Sequence, residues 1–257
     1  FYSSVGPHRV IPEGVGRSMA LYGDQWVGVG AHGYQSGIGF SWVYCSDDDG
    51  ETWWRNEGGE MVATLDYGGG GSYGCVEPVV AEVSPKHLLM LFRTTLGRLY
   101  QSWSSDDGTT WTPPEPTSLA SSNAPANLKR IPGTNDLLVI WNQVSADEIE
   151  KGAQRHRLSS AISQDGGATW KNRKNVGFMY GDNVTYVEPH PIRNYRAAHY
   201  SPRVPTYDRH VDYPAVVFWK DRVIIASKWG ERSRGIIGRE RTPLILFIIG
   251  LPLAWFY

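Results

Sequence analysis

Ser46–Trp53 reads SDDDGETW, Ser104–Trp111 reads SSDDGTTW, and Ser163–Trp170 reads SQDGGATW. Each fits Ser-x-Asp-x-Gly-x-Thr-Trp, and the central acids Asp48, Asp106 and Asp165 lie 58 and 59 residues apart. Five fixed positions recurring three times at one period mark an internal repeat. Residue chemistry explains the pattern as a turn. A short Asp side chain accepts hydrogen bonds from its own loop, Gly reaches positive φ, and Ser and Thr hydroxyls tie the ends. Trp then packs the turn on a neighbouring sheet. Three equivalent turns are a structural device, so these acids are not read as catalytic. A calcium loop is excluded as well, because counting back from Gly50 puts Cys45 at the first ligand position of an EF-hand.

Strand-like runs precede each turn: Gln25–Val29 and Phe40–Tyr44, Leu88–Arg93 and Leu99–Trp103, Leu137–Trp141 and Leu158–Ile162. Turn residues divide them, and no helical period of useful length intervenes. A fourth unit without the pattern follows at Val216–Trp219, Val223–Ala226 and Leu244–Ile249. Units of nearly 60 residues with about four strands each predict an all-β fold of propeller blades. The 257 residues hold about 4.4 such units, near the lower limit for closing a ring.

Composition agrees. Gly 29, Pro 16, Trp 11 and Tyr 14 favour short strands and tight turns over long helices. Lys plus Arg is 25 against Asp plus Glu 26, a net charge of −1, which argues against a dedicated nucleic-acid binder. Two cysteines, Cys45 and Cys75, exclude a disulfide scaffold and a Cys-rich zinc module while leaving one bridge open. No metal spacing and no phosphate loop is present; Gly68–Gly71 lacks the Lys that a P-loop needs, and no cofactor is implied. The apolar run Leu244–Tyr257 has 14 residues and contains Pro252, short of the roughly 20 that a spanning helix needs, so a buried strand in a soluble chain is expected. The chain begins at Phe1 with no visible signal peptide, which points to a removed leader or a longer product.

The three turns resemble the Asp boxes of sialidases and related BNR-repeat proteins, whose fold is a six-bladed β-propeller. The stretch Tyr73–Trp111, YGCVEPVVAEV followed by LLMLFRTTLGRLYQSWSSDDGTTW, is similar to the sialidase segment that carries a catalytic Glu and the second Arg of a substrate-binding triad. By that match these are Glu77 and Arg93. RHRLSSAIS before the third turn resembles the region of the third triad Arg, here Arg155, and DYPAVVFWKDRVIIA resembles the nucleophile strand, with Tyr213 as nucleophile. GLPLAWFY resembles the closing strand of bacterial relatives. The resemblance covers nearly the whole chain as one domain, residues 1–257, and is weakest across Lys171–Asp212.

It also has a gap. Relatives begin with a blade carrying Arg-Ile-Pro, which supplies the first triad Arg, and an Asp that acts as acid/base. His8-Arg9-Val10-Ile11-Pro12 is only superficially similar, and Arg130-Ile131-Pro132 lies mid-chain. Residues 14–34 resemble the third blade, so about two N-terminal blades are expected to be absent and about four to be present.

The resemblance implies a retaining exo-sialidase. Sialic acid bears a carboxylate on its anomeric carbon, which repels an anionic nucleophile and suits a neutral Tyr activated by Glu. Planar guanidinium groups at Arg93 and Arg155 suit the substrate carboxylate, although Arg157 lies two residues from Arg155 on the same strand face. Asn123 stands in a loop that faces the pocket in relatives, and Glu82 competes with Glu77. His210 and Asp212 flank Tyr213. The expected partner is a sialylated or other acidic glycan, encountered outside the cell or in the periplasm. Two other readings stay open: a non-catalytic carbohydrate-binding propeller, and a lyase or glycosidase for another acidic sugar with Tyr213 or His210 as base.

Overall fold

The computed structural model describes residues 41–48, 51–58, 74–151, 153, 155–178, 184–193, 195, 209–231 and 245–257, and the backbone alone of strands at 8–10, 18–22, 27–28 and 37–38. For 178, 209, 210 and 231 the backbone alone is likewise described. The run Gly68–Gly71 and most of the third-blade match at 14–34 lie outside the described residues.

Seventeen strands form four antiparallel sheets and one ribbon among the described residues. The first sheet orders β1 (His8–Val10), β2 (Ser18–Tyr22), β5 (Trp42–Ser46) and β6 (Trp54–Arg55), with β3 (Val27–Gly28) and β4 (Gly37–Ile38) as the ribbon. The second runs β7 (Val76–Ser84), β8 (His87–Arg93), β9 (Arg98–Ser104), β10 (Glu115–Ala120). The third runs β11 (Asn127–Arg130), β12 (Leu137–Asn142), β13 (Arg157–Ser163), β14 (Lys171–Phe178). The fourth has three strands, β15 (Arg209–Trp219), β16 (Arg222–Glu231) and β17 (Ile245–Pro252). The all-β class holds, and these sheets do not close into a ring. One five-residue helix, α1 (Ala146–Glu150), sits where no helix was expected; a Ser145–Glu148 capping box closes it, too short to leave an apolar period.

Alternation explains the stacking. On β8, Leu88, Met90 and Phe92 join a core shared with Val43 and Cys45 of the first sheet. Leu89 and Leu91 face the opposite way, into a core shared with Leu137, Val139 and Trp141 of the third. β12 repeats the device, sending Leu138 and Ile140 toward Val216, Val223 and Ile225 of the fourth sheet. Side chains alternate across a strand, so a strand buried on both faces reads as an unbroken apolar run.

β17 departs from expectation. It was expected to be buried, yet Ile245, Leu246, Phe247 and Ile248 are all exposed, and Ile249 and Leu251 alone of its apolar side chains pack inward. It is the last strand of a three-stranded sheet. Cys45 and Cys75 are buried and unbridged.

The three repeated turns each join the third strand of a sheet to the fourth. Ser46, Ser104 and Ser163 each donate to Oδ1 of the central Asp at 2.8 Å. The backbone N–H groups of Thr52, Thr110 and Thr169 donate to that same oxygen at 2.8–2.9 Å. The threonine hydroxyls donate to Oδ2. These bonds to the charged form hold all three carboxyls below their ordinary range. For Asp48 the Thr52 hydroxyl is the main cause and the value falls to about 2. At Asp106 and Asp165 burial pushes upward, and the Thr and Ser bonds outweigh it. The tryptophans differ: Trp170 is buried and Trp111 packs on the core, whereas Trp53 is exposed and its neighbour Trp54 packs instead.

Candidate active site

Of the first strands of three successive sheets, β11 packs against both β7 and β15. Glu77 on β7 and Tyr213 on β15 occupy matching irregularities there. On β7 the register passes from Val76 opposite Arg93 to Val79 opposite Leu91, and on β15 from Asp212 opposite Lys228 to Ala215 opposite Ala226. Each strand therefore carries one extra residue, a β-bulge, which re-aims a side chain. Proline follows in both, Pro78 and Pro214, and a residue without an N–H cannot continue a ladder. Glu77 takes φ 45° and Tyr213 φ 53°, left-handed values that cost a non-glycine residue about 1–3 kcal/mol.

The bulges bring the two side chains together across 136 residues of sequence. The Tyr213 hydroxyl donates to Glu77 Oε1 at 3.0 Å. Glu77 is buried, and its Oε2 accepts from Arg93 Nη1 at 2.6 Å. Arg93 Nε donates to Asn123 Oδ1 at 2.7 Å. Arg155 Nη2 donates to the Asn123 carbonyl at 2.9 Å, and its Nη1 to Asp212 Oδ2 at 2.6 Å. Arg155 Cζ also lies 5.4 Å from the centre of the Tyr213 ring. All five residues expected at the site thus converge: Tyr213, Glu77, Arg93, Arg155 and Asn123. Asn123 brackets the two arginines, one through its side chain and one through its backbone.

Burial pushes the Tyr213 phenol up from its ordinary range, and the Glu77 charge pushes the same way against Arg93 and Arg155. The hydroxyl therefore keeps its proton at neutral pH and points it at a carboxylate. A neutral phenol so held can attack an electrophile while passing its proton to Glu77.

The competitors separate cleanly. Arg155 stands in a bend before β13, not on that strand, whereas Arg157 is fully buried and donates to Glu148 at 2.7 and 3.2 Å. Burial pushes the Glu148 carboxyl up, but bonds from His156 and Arg157 outweigh it and hold it well below the carboxylate range. Glu82 is buried against Arg130, 3.4 Å away, and burial raises its carboxyl. The His210 side chain lies outside the described residues. Asp212, left open by sequence reasoning, proves to be the partner of Arg155 and is 1% exposed. The Glu-Pro and Tyr-Pro pairs inside apolar strands were the available signal for the two bulges, since proline in a strand interior marks one. Among the described residues no group of three His, Cys, Asp or Glu could hold a metal, and no helix is long and apolar enough to cross a membrane.

A family model described as a BNR repeat-like domain matches residues 8–225. No curated protein matches the chain. Among solved structures, a point mutant of the NanB sialidase from Streptococcus pneumoniae superposes with a TM-score of 0.57 at 15% identity, covering 96% of this chain and 30% of that one. A protein of unknown function from Dyadobacter fermentans superposes with a TM-score of 0.54 at 15% identity, covering 90% and 48%. The chain therefore spans under a third of the NanB sialidase and about half of the Dyadobacter protein. At these identities the likeness establishes the fold.

Proposed function

The chain belongs to the BNR repeat-like domain family, and from that premise we propose that it is a sialidase-like glycoside hydrolase releasing terminal sialic acid from glycoconjugates with retention. The observation that carries this reading is the 3.0 Å bond from the Tyr213 hydroxyl to Glu77. Tyr213 Oη attacks the anomeric carbon, its proton passes to Glu77 Oε1, and the bond to the aglycone breaks, the departing oxygen taking a proton from solvent. Water then displaces the tyrosyl oxygen from the opposite side and releases one proton to solvent, Glu77 returns its proton to the tyrosyl oxygen, and two inversions leave the configuration retained. A neutral phenol suits a carbon that already bears a carboxylate.

Arg93 and Arg155 receive that carboxylate, and Asn123 holds them at their separation. Arg93 also holds Glu77 through Oε2, leaving Oε1 to accept the proton of Tyr213. This chain supplies nucleophile, base and anion site; no residue described here is assigned to protonate the leaving group. The position of the chain in a propeller of about four blades, out of six, belongs to the same proposal.

The test is turnover of an aryl sialoside by the wild type and by Tyr213→Phe. The variant is expected to lose at least about 100-fold in kcat while its circular dichroism stays unchanged. Retained turnover removes Tyr213 from this role. An unsaturated product absorbing in the near ultraviolet would replace hydrolysis by elimination.

A further inference from the structure

We propose that Lys228 binds the acidic group of the sugar, as a third cation of the Tyr213 site; the inference rests on the reading above. Lys228 stands on β16 directly opposite Asp212 of β15. Opposite charges so placed in an antiparallel pair ordinarily join. Here they do not. Asp212 gives Oδ2 to Arg155 at 2.6 Å, and its buried Oδ1 has no hydrogen-bond partner. Lys228 instead places Nζ 5.7 Å from the centre of the Tyr213 ring, whose hydroxyl holds Glu77. No carboxylate of the described residues forms an ion pair with it.

The charges of the described residues around Tyr213 then do not balance. Among the described residues Arg93, Arg155 and Lys228 stand against Glu77 and Asp212, one positive charge in excess, in a chain whose formal net charge is −1. Each arginine already holds a carboxylate of the protein, so the excess resides on Lys228. A half-buried lysine ordinarily lays its stem on apolar surface and sends its head to water or to a partner. A compact ammonium beside the phenol, on a flexible stem, can reach an anionic group bound over it. The ligand carboxylate is the charge that completes the set.

The test is calorimetric titration of the full chain with N-acetylneuraminic acid, its methyl ester and glucuronic acid, using wild type, Lys228→Met and Lys228→Arg. Sialic acid is expected to bind Lys228→Met at least about 10-fold more weakly than wild type, with most affinity restored in Lys228→Arg. The methyl ester, which lacks the charge, is expected to bind wild type and Lys228→Met alike. Equal sialic acid affinity in wild type and Lys228→Met, with equal thermal midpoints, overturns the inference and leaves the proposed function standing. Glucuronic acid bound in place of sialic acid, and lost in Lys228→Met, keeps the role of Lys228 and overturns the proposed sugar. No acid bound by the wild type overturns both.

Discussion

The repeated turns and the two bulges use the same left-handed backbone, and they use it at opposite cost. In the second and third turns it falls on Gly108 (φ 82°), Gly166 (φ 72°) and Gly167 (φ 101°), where no Cβ opposes it, and on Asp107 (φ 57°), a residue type that tolerates it better than most. At the bulges it falls on Glu77 and Tyr213, whose side chains bond to each other and where the strain remains. The turns are closed by the central Asp, whose oxygens are saturated by Ser and Thr. At the bulges the polar groups reach across sheets, leaving Asn123 Nδ2 and Asp212 Oδ1 buried without partners. One region repeats and is closed by its own residues; the other sets two strained non-glycine residues and two unsatisfied buried atoms around the Tyr213–Glu77 bond. Sites that do chemistry tend to be of the second kind.

The contrast can be broken most severely at Gly167. An added Cβ there would stand 2.4 Å from Leu89 Cδ2 and 3.2 Å from Trp103 Cη2, at a φ that L-residues avoid. Gly167→Ala is expected to destabilise the fold by roughly 2–5 kcal/mol, combining overpacking with left-handed strain, in urea unfolding. A loss below about 1 kcal/mol would show that the turn yields where the contacts say it cannot.

Removing a turn carboxylate comes next. Asp106→Ala deletes the acceptor for Ser104 and Thr110 and is expected to cost about 1–2 kcal/mol. Sialoside turnover per folded molecule should not change. A fall in kcat would place the turn in the chemistry and erase the distinction drawn here.

At the bulge the ordering of substitutions should reverse. Tyr213→Gly is expected to be more stable than Tyr213→Ala by about 1 kcal/mol, because glycine accepts φ 53° without strain. Both variants lose the hydroxyl, so both should be inactive. Alanine equal to or better than glycine in thermal melts would mean that the bulge is not strained.

The smallest effect is the response to acid. The carboxyls of Asp48, Asp106 and Asp165 are lower folded than unfolded, so the stability they contribute is fully present above their unfolded value near 3.8. It is lost as pH falls through the folded values, about 2 for Asp48. Thermal midpoints measured from pH 5 to pH 2 should decline below about pH 4. A triple Asp→Asn variant should show a shallower decline, and an identical one would detach the turns from acid stability.

The turns were legible because all their determinants are local. Ser, Asp, Gly and Thr lie within seven residues, and each bond in them spans four positions or fewer. Strands buried on both faces were equally plain, as in LLMLF on β8, since unbroken apolar runs need no partner to be recognised. β17 was misjudged because an apolar run does not tell whether both faces are covered. α1 was missed because its capping box outweighs its five-residue length.

By itself the sequence determined the fold class, the repeat and the residue types at the site, since periodicity and turn chemistry act over short distances. Only the tertiary structure decided which arginine stands beside Tyr213. Arg155 and Arg157 are two residues apart and chemically identical, but Glu148 claims Arg157 in the interior while Asp212 turns Arg155 beneath Tyr213. Tertiary structure alone also parted Lys228 from its cross-strand acid. Such choices depend on which charges meet across sheets when the chain is packed, and no local pattern carries that information.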